Sequence, residues 1–77
     1  MSEQQAQRKL ADYLSTDNPY DVSADCLSVR SLGYKNVGYT LQVVSRCDGG
    51  HALGQWRVDS KTGEIFRQGS DGRYLKP

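Results

Sequence analysis

Two cysteines, Cys26 and Cys47, are the only ones in the chain, and the midpoint of the segment between them falls at Asn36-Val37. If that segment is strand, turn and strand, the cysteines face each other across the ladder. A bridge closing such a loop stabilises by roughly 3 kcal/mol on the chain-entropy estimate, a large share of what a small core supplies. The spacing therefore favours a disulfide-stapled hairpin over two buried, reduced thiols, although both readings fit an even cysteine count in a short chain. A bridge implies an oxidising compartment, periplasmic or secreted, and an export signal removed from the chain as given, whereas reduced thiols imply a cytoplasmic protein.

The staple matters because the chain is short. At 77 residues with 36% hydrophobic content there is apolar material for one core, so residues 1–77 are expected to form a single domain. Ten Lys and Arg oppose nine Asp and Glu, and a formal charge of +1 points to no partner by bulk charge. No apolar run approaches a membrane span, and Met1-Ser2-Glu3-Gln4-Gln5 lacks the layout of a signal peptide.

The first residues carry a helix signature. Ser2 followed by Gln5 fits a capping box, and Ala6, Leu10, Tyr13 and Leu14 fall on one face, which predicts a helix over about 2–15. Asn18-Pro19 lies within a run of turn formers, and proline pushes the residue before it out of helical space, so the helix stops ahead of it.

From about residue 26 to 67 the pattern becomes short β-branched and aromatic runs punctuated by Gly and Asp. Leu27–Leu32 and Tyr39–Ser45 read as a hairpin around Lys35-Asn36-Val37-Gly38, Gly54–Asp59 as a third strand and Glu64–Arg67 as a fourth. Residues 68–77 are either a tail or an edge hairpin turning at Asp71-Gly72. The expected class is α+β, one N-terminal helix packed on a three- to four-stranded antiparallel sheet. Leu10, Leu14, Val29, Leu41, Val43, Trp56, Val58 and Ile65 are the expected core.

This layout, with Trp56-Arg57-Val58-Asp59-Ser60-Lys61-Thr62-Gly63-Glu64-Ile65 as its last hairpin, resembles the PepSY-like domains. There an N-terminal helix leads into an antiparallel sheet whose final hairpin reads aromatic, Val, Asp, two variable residues, Thr-Gly-Glu and an apolar residue. The resemblance implies a non-catalytic module that binds or inhibits proteases or other proteins, in many cases at the cell envelope. It carries no functional residue over, because the turn motif is structural. The long polar stretch between helix and first strand and the cysteine pair are not part of that pattern.

Catalytic and metal signatures are weak. Cys47, Asp48 and His51 lie close together, but a zinc site wants four ligands, and a Gly-Gly turn accounts for the same residues. Asp17, Asp21 and Asp25 sit in a turn-rich connector where aspartate is ordinary. Gly49-Gly50 lacks the Lys-Ser/Thr of a phosphate-binding loop. No catalytic residue, metal ligand or cofactor site is expected, and the chain reads as non-enzymatic.

Charge and aromatics mark a binding role instead. Residues 1–25 hold five acids and two bases, leaving eight bases and four acids on the sheet half. There Arg30, Arg46, Arg57, Arg67 and Arg73 alternate with Tyr34, Tyr39, Trp56, Phe66 and Tyr74. A sheet face mixing Arg with aromatics holds single-stranded nucleic acid or acidic peptides in some small modules. Arg and Tyr are also enriched at protein-protein hot spots, and five Tyr exceed what so small a core buries. The expected binding residues are Arg30, Tyr34, Tyr39, Arg46, Arg57 and Arg67, with a protein partner favoured over nucleic acid. The function expected first is a protein-binding module, inhibitor-like or envelope-associated. The alternative is a small intracellular regulator of phage or mobile-element type that blocks a nucleic-acid-handling protein or binds nucleic acid through the basic sheet.

Overall fold

The computed structural model describes residues 1–77. Helix α1 (Glu3–Thr16) starts where the capping box predicts: Ser2 Oγ accepts from the Gln5 amide at 3.2 Å and Gln5 Oε1 accepts from the Ser2 amide at 2.7 Å. Two orphan donors of the first turn are thereby satisfied. The helix ends at its C-cap Asp17. A connector follows, in which Asn18 accepts from the Tyr20 amide and donates to the Val22 carbonyl. A 3-10 turn over Ala24–Cys26 then feeds the sheet.

The sheet is an antiparallel meander of β1 (Leu27–Lys35), β2 (Gly38–Ser45), β3 (His51–Asp59), β4 (Ile65–Gln68) and β5 (Tyr74–Leu75), in that spatial order. It has five strands rather than three or four, because the tail turns at Gly69–Gly72 and Tyr74 pairs with Gln68. The first two strands are longer than the apolar pattern implied. A bulge between Ser31 and Gly33 carries β1 on to Tyr34 and Lys35, which pair with Tyr39 and Gly38. A second irregularity opposite Val43 and Val44 lets β3 begin at His51 instead of Gly54, and Glu64 stays in the turn before β4.

Cys26 and Cys47 form a disulfide with a Cα–Cα distance of 5.3 Å, closing the hairpin at the end away from its turn. The Arg46 amide donates to the Cys26 carbonyl at 2.7 Å beside it, so ladder and covalent link reinforce one another.

Ala6, Leu10 and Leu14 on α1 pack against Leu41, Val43, Trp56 and Val58 of β2 and β3. Six of the eight expected core residues are buried, while Val29 and Ile65 are half-buried and pack against the cluster from the flanking strands. Helix and connector cover one face of the sheet. The other face carries Arg30, Gln42, Gln55, Gln68 and Tyr74, and this split follows from the two-residue alternation of an antiparallel sheet solvated on one side.

Candidate functional site

Register decides which of the six expected binding residues share a surface, and they do not all do so. Arg30 and Arg57 lie on the open face, since their strand neighbours Val29, Trp56 and Val58 face the helix. Tyr39 shares the helix side with Leu41 and Val43, and Tyr34 pairs with it directly. Arg67 pairs with Trp56 and lies on the helix side too, its guanidinium carbon 5.1 Å from the Tyr20 ring centroid and 5.6 Å from that of Trp56. Arg46 sits at the disulfide end, where it donates to the Asp25 carbonyl at 2.6 Å. Arg73 pairs with Asp71 in the β4–β5 turn. The expected single face of arginines alternating with aromatics is therefore absent, because the side-chain period of two distributes these residues over both faces and both ends.

Three of the six reach the end of the sheet opposite the disulfide, Tyr34 and Tyr39 on the helix side and Arg57 on the open face. The β1–β2 turn, Asn36-Val37, and the β3–β4 turn after Asp59 lie side by side there, since Gly38 pairs with Asp59. Tyr34 and Tyr39 pack edge-on with ring centroids 4.8 Å apart. The Tyr39 hydroxyl donates to the Met1 carbonyl at 2.8 Å, tying the start of the helix to the hairpin. Arg57 lies over Gly38 and donates to the Asn36 carbonyl; a Cβ at residue 38 would stand 2.6 Å from the guanidinium, so the glycine makes room for it.

Ser60 organises this tip. Its amide and hydroxyl both donate to the Val37 carbonyl, at 2.9 and 2.8 Å, and its Oγ lies 3.1 Å from the Tyr34 hydroxyl. Sequence reading treats Ser60 only as a turn residue; its position directly after Asp59, the residue opposite Gly38, is a signal that appears once the register is known. Asp59 shapes the same turn. The backbone amides of Thr62 and Lys61 donate to its Oδ1 at 2.9 and 2.8 Å and hold its carboxyl below the usual aspartate range, with a small further push from the Arg57 charge.

The tip is also where apolar surface is left in water. Of the five large hydrophobic side chains that remain exposed, Leu32 (47%), Tyr34 (55%) and Val37 (44%) belong to this hairpin, the Met1 carbonyl bonds to it through Tyr39, and Leu75 lies apart on β5. Leu32 is exposed because it falls at the bulge that shifts the β1 register.

The remaining candidates gather nothing comparable. Cys47 is bonded to Cys26, which removes its thiolate from any Cys-x-x-x-His pairing with His51. No group of three His, Cys, Asp or Glu side chains is placed to hold a metal ion. One open depression of about 330 Å³ lies beside the β4–β5 turn, lined by Arg67, Gln68, Ser70, Leu75 and Lys76 among others, with no histidine or side-chain carboxylate in its wall. No helix is long and apolar enough to cross a membrane.

No family model, curated protein or solved structure matches this chain.

Proposed function

We propose that this chain is a non-enzymatic protein-binding module that works outside the cytoplasm, an inhibitor-type or envelope-associated domain of PepSY-like layout. The observation that carries the reading is the concentration of exposed apolar side chains, Leu32, Tyr34 and Val37, at one hairpin tip whose backbone is held by Ser60 and Arg57. Exposed apolar surface gathered in one place on a small domain marks an interaction site, whereas scattered apolar residues do not. Tyrosine adds contact area at low entropic cost and supplies a hydroxyl for the rim. The Cys26–Cys47 bridge supports an oxidising compartment, where such bridges persist.

The test is retention of a protein from the extracytoplasmic extract of the producing cell on the immobilised, oxidised chain, followed by titration of the purified partner. Replacing Leu32 and Tyr34 together by Ser is expected to weaken binding at least tenfold, and replacing Gln42 and Gln55 on the open face is expected to leave it unchanged. Equal binding by all variants removes the tip from the reading. Retention of single-stranded DNA or RNA that declines with salt, with no protein retained, transfers the function to the nucleic-acid alternative.

A further inference from the structure

Val37 occupies a backbone conformation that valine avoids. Asn36 and Val37 both have positive φ, 53° and 55°, the pattern of a two-residue type I′ turn. Asparagine tolerates this region and glycine prefers it, but a β-branched residue there crowds its Cβ against the following carbonyl. The protein holds the strained residue in place rather than relaxing it: the Val37 carbonyl takes two hydrogen bonds from Ser60, and the Asn36 carbonyl takes one from Arg57. Val37 nevertheless keeps 44% of its surface exposed, so burial offsets only part of the strain. What valine supplies over glycine at this position is exposed apolar surface.

The charges around it are not balanced. The two ion pairs of the chain, Arg73–Asp71 and Lys76–Glu64, leave Lys35 and Lys61 unpaired on the two adjacent turns. The one acid between them, Asp59, is committed to the amides of its own turn. We infer that the β1–β2 tip inserts Val37 into an apolar pocket of a partner protein whose rim carries carboxylates facing Lys35 and Lys61. This inference rests on the protein-binding reading above and names the chemistry of the partner at the same site.

The test uses the full oxidised chain and the protein retained from the extracytoplasmic extract, titrated at low and high salt against four versions: wild type, Val37→Gly, the double change Lys35→Glu with Lys61→Glu, and Gln42→Glu on the open face. Val37→Gly relieves the backbone strain, so its melting temperature is expected to rise while its affinity falls at least tenfold. That opposite movement separates a binding role from a folding role. The double charge reversal is expected to lose at least tenfold at low salt, with the gap to wild type narrowing as salt rises. Gln42→Glu is expected to stay within about twofold of wild type.

Val37→Gly binding as tightly as wild type, or charge reversal without effect, overturns the inference. If Gln42→Glu abolishes binding while the tip variants bind normally, protein binding survives and the docking site moves to the open face. If the extract yields no retained protein, the protein-binding reading and this inference fall together.

Discussion

The hydroxyl of Tyr20 accepts the indole N–H of Trp56 at 2.8 Å, and it does so across Gly54, where a Cβ would stand 2.1 Å from that hydroxyl. Trp56 is fully buried, so its N–H has to be satisfied from within the protein, and the connector rather than the sheet provides the acceptor. Gly54→Ala is expected to push Tyr20 off the sheet and to destabilise the fold by roughly 1–3 kcal/mol through overpacking and the orphaned donor. Tyr20→Phe keeps the ring and removes only the acceptor, at a cost of about 1–3 kcal/mol. Urea unfolding followed by Trp56 fluorescence measures both. A Gly54→Ala protein as stable as wild type would show that the connector is not held by this contact.

Arg67 closes the same cluster from outside. Its guanidinium carbon lies 5.1 Å from the Tyr20 ring centroid and 5.6 Å from that of Trp56, and an arginine so placed can lay its apolar stem along neighbouring ring surface. Arg67→Ala is expected to cost about 1–2 kcal/mol, with the cation–π attraction and the covering stem both lost. Arg67→Met restores the stem without the charge and is expected to recover about half of that loss. Full recovery by methionine would leave the cation–π contact without energetic weight.

The Cys26–Cys47 bridge spans 21 residues and pins the ladder at the end opposite the strained turn. Replacing both cysteines by alanine is expected to lower stability by about 3 kcal/mol, chiefly by freeing the unfolded chain. Denaturant titrations of the oxidised, the reduced and the double-alanine protein give the measure, and reduced and double-alanine forms are expected to coincide. Unchanged stability after reduction would show that the core alone carries the fold.

Much of this architecture was legible in the residues. The pair Ser2 and Gln5 placed the start of the helix, and the cysteine symmetry about Asn36-Val37 placed the first hairpin and its staple, because capping and turn geometry are local. Strand lengths were not legible. The β1 bulge at Ser31/Gly33 breaks the alternation on which pattern reading depends, and β5 is two residues long, too short for any period to show. The dispersal of the arginines was legible in principle. Ile65 as a core residue already puts Arg67 on the helix side, and Trp56 and Val58 in the core already put Arg57 on the other. The tip needed three dimensions, since Ser60 and Val37 are joined only through the pairing of β2 with β3.

Asp59 gives the tip a pH signature. Its carboxyl lies below the ordinary value of 3.8 because the Thr62 and Lys61 amides bond the ionised form. A folded-state value below the unfolded one means that the stabilisation is fully present above the unfolded value and is lost as pH falls through the lower folded value. Asp59→Asn keeps an acceptor oxygen for the two amides but does not titrate, so it removes this acid-dependent part and leaves that of other carboxylates. Unfolding free energies measured at about pH 6 and about pH 2.5 are expected to fall further for wild type than for Asp59→Asn. Parallel falls for the two proteins would mean that the amide bonds do not distinguish the carboxylate from the acid. Because Asp59 and Ser60 are consecutive, the same protonation is also expected to loosen the Ser60 hold on Val37, read as faster amide exchange of residues 36–38 in wild type but not in Asp59→Asn at low pH.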